Sequence, residues 1–207
     1  MEDGDLFARP VLEQIPVGEA EVFYLRQIPL DHPAEVIMHR LIAETPWRSE
    51  HIVVWGKTFL QPRLVAWYGD EGRKYRYSGI DLNPLPWTDL LTDIKTRVEA
   101  IARAEFNSVL LNYYRDNRDS MGFHSDDEPE LGPRPVIASL SLGEQRTFIL
   151  KHKTTKALKP VRLRLPSGSL LLMRGETQRN WKHGIEKETR PCGPRVNLTF
   201  RRIQIGV

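Results

Sequence analysis

Six histidines occur in the chain, at positions 32, 39, 51, 124, 152 and 183, and only His124 has a carboxylate two residues on, at Asp126. With 27 acids in 207 residues, chance alone supplies about 0.8 His-x-acid pairs. The pair by itself is therefore explained by two solvent-facing side chains. Extended backbone changes its meaning, because residues i and i+2 project to the same side of a strand, where an imidazole and a carboxylate share one metal-facing surface. His183 is the candidate third ligand. It follows a β-rich run and sits in Thr177-Gln178-Arg179-Asn180-Trp181-Lys182-His183 rather than in a core pattern. Two imidazoles and a carboxylate leave three adjacent coordination positions open, which suits a non-haem Fe(II) centre that must take a co-substrate and dioxygen. Structural zinc closes its coordination, usually with thiolates, and the chain has only Cys192.

A second pattern lies in Arg195-Val196-Asn197-Leu198-Thr199-Phe200-Arg201. On a strand, Arg195, Asn197, Thr199 and Arg201 line one surface while Val196, Leu198 and Phe200 bury into the other. An exposed sheet face would explain this alternation. So would an anion site, since two arginines about 20 Å apart at most along the strand, with hydrogen-bonding residues between them, suit charge-assisted forks to a ligand with two carboxylates such as 2-oxoglutarate. The same period puts Asn112 and Tyr114 on one face of 108–115, where an amide and a phenol complete an anion site or simply pack across strands.

The elements that must position these groups are legible from periodicity. Residues 1–20, with Pro10, Pro16 and Gly18, read as a loosely ordered leader. Asp31 and Pro33 open a helix through Ile37, Met38, Leu41 and Ile42 that Pro46 stops, and a second helix from about Thr88 puts Leu90, Leu91, Ile94, Val98, Ile101 and Ala102 on one face. The stretch 51–79 reads as hairpins. After Phe106 the chain becomes β-rich at 108–115, 135–142, 145–152, 161–166, 168–173 and 195–204. With no crossover helix between these segments, an antiparallel sandwich or barrel is favoured over a parallel sheet.

Composition bounds the rest. A chain of 24.0 kDa that is 40% hydrophobic and 28% charged supports one sizeable core, and residues 21–207 are expected to form a single domain. Apolar runs such as Leu170 to Met173 fall far short of the roughly 20 residues that span a bilayer. The acidic start Met1-Glu2-Asp3-Gly4-Asp5 lacks a signal-peptide layout, and a lone cysteine fits a reducing compartment, so a cytoplasmic protein without membrane association is expected. The net charge of +3 conceals an asymmetry: residues 145–207 carry +12 and residues 1–144 carry −9. Phosphates reward such a basic segment, and a solvated Lys-rich face explains it equally well.

Taken together, Leu111-Asn112-Tyr113-Tyr114, His124-Ser125-Asp126-Asp127-Glu128, Thr177-Gln178 with Trp181 and His183, and the 195–201 run resemble the AlkB family of Fe(II)/2-oxoglutarate-dependent nucleic-acid dioxygenases, over roughly residues 50 to 204. The resemblance implies a mainly β double-stranded β-helix, a distorted jelly roll with bracing helices. It implies His124, Asp126 and His183 as iron ligands, Arg195 on the distal carboxylate of 2-oxoglutarate, and Arg201 at the metal-proximal end. Asn112 and Tyr114 match co-substrate positions, with Asn197 and Thr199 in support. Asp127 and Glu128 match positions beside the target base. Val54-Trp55-Gly56-Lys57, Pro62-Arg63 and Tyr75-Arg76-Tyr77-Ser78-Gly79 resemble the nucleotide-recognition lid of the duplex-acting branch, spanning about 50–80, with Trp55 as a base-replacing wedge and Arg63, Tyr75, Tyr77 and Ser78 around the extruded base.

That resemblance implies oxidative dealkylation of N1-methyladenine and N3-methylcytosine in DNA by a monomer, with 2-oxoglutarate and dioxygen as co-substrates. An Fe(II)/2-oxoglutarate oxygenase acting on RNA or protein is the alternative within the same chemistry, and a non-catalytic basic nucleic-acid-binding module is the alternative outside it. Two departures from the family pattern stand out. Arg115-Asp116-Asn117-Arg118 replaces a common glycine after the Asn-x-Tyr strand, where Asn117 is expected to supply a positive φ if one is needed. Gly184-Ile185-Glu186 lacks the proline common after the second histidine.

Overall fold

The alternation that marks the chain after Phe106 folds into antiparallel strands. The structure, a computed structural model, describes residues 11–49, 51–54, 57–71, 75–77, 80–82 and 84–204. In chain order the elements are β1 (Glu13–Ile15), β2 (Glu21–Leu25), α1 (Ala34–Glu44), β3 (His51–Val54), β4 (Lys57–Leu60), β5 (Leu64–Gly69), β6 (Tyr75–Tyr77), β7 (Ile80–Leu82), α2 (Asp89–Ala102), β8 (Ser108–Tyr114), β9 (Met121–His124), β10 (Ile137–Gly143), β11 (Arg146–His152), β12 (Val161–Leu165), β13 (Leu170–Arg174), α3 (Thr177–Asn180), β14 (Trp181–Ile185) and β15 (Arg195–Arg201).

Two sheets face each other. The larger runs β1-β2-β13-β10-β15-β8-β5 and the smaller β12-β11-β14-β9, while β3-β4 and β6-β7 pair as hairpins. All strand pairs are antiparallel. This is the jelly-roll architecture expected from the sequence. The segments 108–115, 135–142, 145–152, 161–166, 168–173 and 195–204 all return as strands, shifted by a few residues at their ends. The expected 168–173 starts at Leu170 because Gly168, at φ +81°, and the Ser169 N–H bond to Pro166 O first complete a turn.

Helix α2 begins where the sequence puts it: Thr88 Oγ1 accepts the Leu91 N–H at 3.3 Å, which satisfies one of the unpaired amides of the first turn. Helix α1 ends at Glu44, since Thr45 is forced extended before Pro46. Both helices lay their apolar faces on the larger sheet. Ile37, Met38, Leu41, Leu91, Ile94 and Val98 join Leu111, Leu140, Val196, Leu198 and Phe200 in one core. A second core fills the space between the sheets, from Leu110 and Tyr114 on one side to Phe148, Leu150 and Trp181 on the other. Strand β8 divides its apolar side chains between these cores, whereas β15 sends only Val196, Leu198 and Phe200 into the helix-backed one, so that core fixes the strands whose opposite faces build the site.

The described part of the expected leader, residues 11–20, is docked. Gln14 pairs with Phe23, Val17 is buried, and Gly18 O accepts the Trp181 indole N–H at 2.9 Å. Apolar Ile15 and Val17 at alternate positions give this short stretch enough to bury. The glycine-less turn after β8 needs no left-handed residue: Asn117 does not have a positive φ, and Arg118 N–H instead donates to Asp116 Oδ1 at 2.8 Å, an Asx turn that does the work of the missing glycine. Among the described residues, no helix is long and apolar enough to cross a membrane.

Leu198 has no exposed surface and lies on β15 directly behind the site. We predict that Leu198→Ala lowers unfolding free energy by about 2–5 kcal/mol through loss of transfer energy and a residual cavity. Urea denaturation checks this, and a change under about 1 kcal/mol would mean that the helix-backed core does not support β15.

Candidate metal centre and co-substrate pocket

The two histidines meet because β9 and β14 are neighbours in the smaller sheet, with His124 directly opposite His183. Their ring centroids are 4.4 Å apart. The register slips just after this pair, between His183 and Ile185. A Cβ on Gly184 would lie 2.9 Å from Met121 O, so the close approach of β9 at the slip depends on glycine. Asp126 follows β9 in a loop held by its own amide, which donates to Gln178 Oε1 at 2.9 Å. The sequence spacing predicts His124 and Asp126 on one face of a strand, but β9 ends at His124, and it is this loop, not strand period, that carries Asp126.

Donor atoms of His124, Asp126 and His183 all lie within 4.8 Å of one another. His124 Nε2 is 3.8 Å from Asp126 Oδ1, and His183 Nε2 is 3.9 Å from Asp126 Oδ2. His124 Nδ1 contacts Gly122 O at 2.9 Å; if Nδ1 carries the proton, Nε2 presents its lone pair to the centre. Asp126 Oδ1 accepts Arg201 Nη2 at 2.7 Å, while buried Oδ2 has no hydrogen-bond partner among the described residues. An orphaned carboxylate oxygen beside His183, with His124 across the same cluster, fits a divalent cation, and this donor set of two nitrogens and one oxygen suits Fe(II).

Electrostatics keep the set ready to ligate. Burial drives the His183 imidazole down to about 3, with the neighbouring His124 adding to it, so it is neutral at pH 7. Burial likewise lowers His124, against the opposing pull of Asp126. Burial would raise Asp126, yet the Arg201 charge, both histidines and the Arg201 hydrogen bond together hold its carboxyl far below the usual range. Neutral imidazoles and an ionised carboxylate are the forms a metal requires.

Beside this cluster, the polar face of β15 is buried rather than exposed, which removes the solvated-face explanation of its alternation. Arg195, Asn197, Thr199 and Arg201 are each less than a tenth exposed. They line a cleft with Tyr114, Ser139, Phe148, Met173, His124 and His183. Arg195 Nη2 donates to Ser141 Oγ at 2.9 Å, and its Nε and Nη1 are buried without hydrogen-bond partners among the described residues, as is Asn112 Nδ2. These free donors fit an anionic co-substrate. Asn197 is more committed: its Nδ2 donates to Ser139 Oγ at 2.8 Å and Leu140 O at 2.9 Å, and its Oδ1 accepts Thr199 Oγ1 at 3.0 Å.

The expected lid residues are less uniform. Arg63 is buried and its Nε donates to Asn112 Oδ1 at 2.7 Å, tying the residue just before β5 to β8. Asp127 is exposed and paired with Lys153 Nζ at 2.8 Å, and Glu128 is half-buried. Tyr75 and Tyr77 occupy β6, opposite Leu82 and Ile80. Trp55 and Ser78 lie outside the described residues. The sequence reading missed Ser139, Ser141, Arg146 and Phe148. Phe148 stacks on His183 with centroids 5.2 Å apart. Alternation along β11 sets Arg146, Phe148 and Leu150 on one face, but only strand pairing reveals that this face meets the histidine.

Comparison with known proteins agrees with this geometry. Residues 23–201 match the family described as the 2OG-Fe(II) oxygenase superfamily, whose metal and co-substrate are Fe(II) and 2-oxoglutarate. The chain is 43% identical over 178 residues to alpha-ketoglutarate-dependent dioxygenase alkB homolog 3 of Mus musculus, covering 82% of this chain and 62% of that protein. It is 44% identical over 158 residues to DNA oxidative demethylase ALKBH2 of Mus musculus, covering 73% and 66%. The chain thus spans less than two thirds of the length of these relatives. A solved structure titled "The structure of OsALKBH1" shares the fold at a TM-score of 0.60 and 17% identity, over 93% of this chain and 100% of that one. The chain therefore belongs to the 2OG-Fe(II) oxygenase superfamily, and AlkB homologues are its relatives there.

Proposed function

We propose that the chain catalyses Fe(II)- and 2-oxoglutarate-dependent oxidative dealkylation of N-alkylated bases, N1-methyladenine and N3-methylcytosine in DNA foremost. The observation that carries this reading is the convergence of His124, Asp126 and His183 beside a cleft lined by buried Arg195, two of whose nitrogens have no hydrogen-bond partner among the described residues. The DNA substrate is supported by the relative named a DNA oxidative demethylase. Bound iron supplies dioxygen activation, coupled to decarboxylation of 2-oxoglutarate to succinate and to hydroxylation of the N-alkyl carbon, from which aldehyde departs.

The chain's own residues supply position and charge. His124 and His183 donate neutral nitrogen and Asp126 one carboxylate oxygen. Arg201 holds Asp126 at the metal-proximal end. Arg195 takes the distal carboxylate, Asn112 and Tyr114 hydrogen-bond the co-substrate, and Asn197 and Thr199 brace it. Phe148 shields the His183 ring from water. Asp127 and Glu128 favour cationic methylated bases, whose weakened pairing eases extrusion. In this reading residues 21–207 act as one domain, with 50–80 as the lid: Trp55 fills the gap left by the base, and Arg63, Tyr75, Tyr77 and Ser78 surround it. DNA is the partner, RNA the second choice, and the protein works as a cytoplasmic monomer. Ferrous iron and the lone Cys192 suit that reducing compartment.

Under anaerobic loading with Fe(II) and 2-oxoglutarate, followed by oxygen and a methylated oligonucleotide, we expect succinate and formaldehyde in equal amounts from the wild type and neither above background from His183→Ala. Succinate without aldehyde would remove the nucleic-acid substrate from the proposal, and activity retained in His183→Ala would remove the metal site. Arg195→Ala should weaken 2-oxoglutarate by at least about 30-fold, as expected for truncating one partner of a buried charge pair. Titration of the Mn(II)-loaded protein measures it. Trp55→Ala should cost activity on duplex DNA more than on single strands, and equal loss on both would rule out the wedge.

A further inference from the structure

Two guanidiniums sit over one ring. Arg195 Cζ lies 5.0 Å and Arg146 Cζ 5.7 Å from the Tyr114 ring centroid. Arg146 opens β11 and is 1% exposed. Its Nη2 donates to Asp119 O at 2.9 Å and Glu186 O at 2.7 Å, and its Nη1 to Asp116 O at 3.3 Å. These acceptors are neutral carbonyls. The acid beside it is Glu188, whose Oε1 is 3.6 Å from Nε and whose side chain is 39% exposed. Arg195 has a hydroxyl partner in Ser141, two buried unpaired nitrogens and no salt bridge to an acid among the described residues.

Around Tyr114, at the Arg195 end of the cleft, two buried cations thus meet one part-exposed carboxylate in the ion pairs of the described residues, since the Asp116 and Asp119 carboxylates are paired with Arg118 and Arg115 instead, an imbalance that desolvation makes costly until an anion arrives. Because both distances end on one centroid, the two Cζ atoms are no more than about 11 Å apart, close enough for their fields to add at low dielectric. Consistently, burial lowers the Arg195 guanidinium from its ordinary value, and the Arg146 charge adds to this against the opposing pull of Tyr114.

We infer that Arg146 is a specificity-determining positioning residue: without touching the co-substrate, its buried charge above Tyr114 makes the cleft select a dicarboxylic 2-oxo acid over a monocarboxylic one. The inference rests on the co-substrate role proposed for Arg195. It differs from a plain bracing role, in which Arg146 merely ties the 116–119 and 186–188 loops to β11, because bracing affects every ligand of the cleft alike.

The test is calorimetric titration of Mn(II)-loaded protein with 2-oxoglutarate and with 2-oxopentanoate, which has the same carbon chain but lacks the distal carboxylate. Arg146→Met should reduce the preference for 2-oxoglutarate about tenfold, while Arg146→Lys, keeping the charge, should hold it within about threefold. Glu188→Gln removes the part-exposed counter-charge and should raise the preference; it decides the matter even if Arg146→Met fails to fold. Parallel weakening of both ligands in Arg146→Met, or an unchanged preference in Glu188→Gln, overturns the inference while leaving the co-substrate reading intact. A wild type that binds the two acids equally overturns both.

Discussion

Asp126 has no exposed surface, and its charge is tolerable because Arg201 Nη2 reaches its Oδ1 at 2.7 Å from the end of β15. A buried ion pair of this kind adds little stability over an apolar substitute, whereas breaking it leaves an uncompensated charge costing about 3–5 kcal/mol. What the pair achieves here is orientation. With Oδ1 bonded to Arg201, Oδ2 is the oxygen left without a hydrogen-bond partner among the described residues, 3.9 Å from His183 Nε2, and the larger sheet is coupled through Arg201 to a ligand carried by a loop of the smaller one. The metal site thus depends on the two sheets keeping their separation, which the core between them sets.

Polar groups of β15 and β8 show how far that coupling extends. Arg195, Asn197, Thr199 and Arg201 face the site from a strand whose other side, Val196, Leu198 and Phe200, is locked under α1 and α2. Rigid backing of this sort holds Arg195, whose Nε and Nη1 have no hydrogen-bond partner among the described residues, in place against the cost of burying it, which is the condition for a preorganised anion site. The +12 charge of residues 145–207 divides accordingly. Arg146, Arg195 and Arg201 are buried around the cleft, while Arg162, Arg164 and Lys182 stand exposed on the smaller sheet. The basic segment is neither wholly a solvated face nor wholly a polyanion surface.

Much of this was legible in the sequence, for physical reasons that differ by residue. His124 and Asp126 were readable as a pair because their spacing is local, although Asp126 lies in the loop after β9 and is placed there by Gln178 rather than by strand period, and the alternation of 195–201 declared a two-faced strand before its surroundings were known. Thr88 and Pro46 marked helix limits through capping and sterics. Pairing information was not legible. That β14 lies against β9, that Phe148 stacks on His183, and that Arg63 turns inward to Asn112 all follow from contacts between distant segments. The Asn117 turn failed for the opposite reason, since two local solutions existed and the Asp116 side chain supplied the cheaper one.

Anomalous diffraction at the iron edge, from crystals grown without oxygen in Fe(II) and 2-oxoglutarate, addresses the centre most directly. One peak should appear, within about 2.2 Å of a nitrogen of His124, a nitrogen of His183 and an oxygen of Asp126. Iron bound elsewhere, or held by only one of the two histidines, would contradict the account.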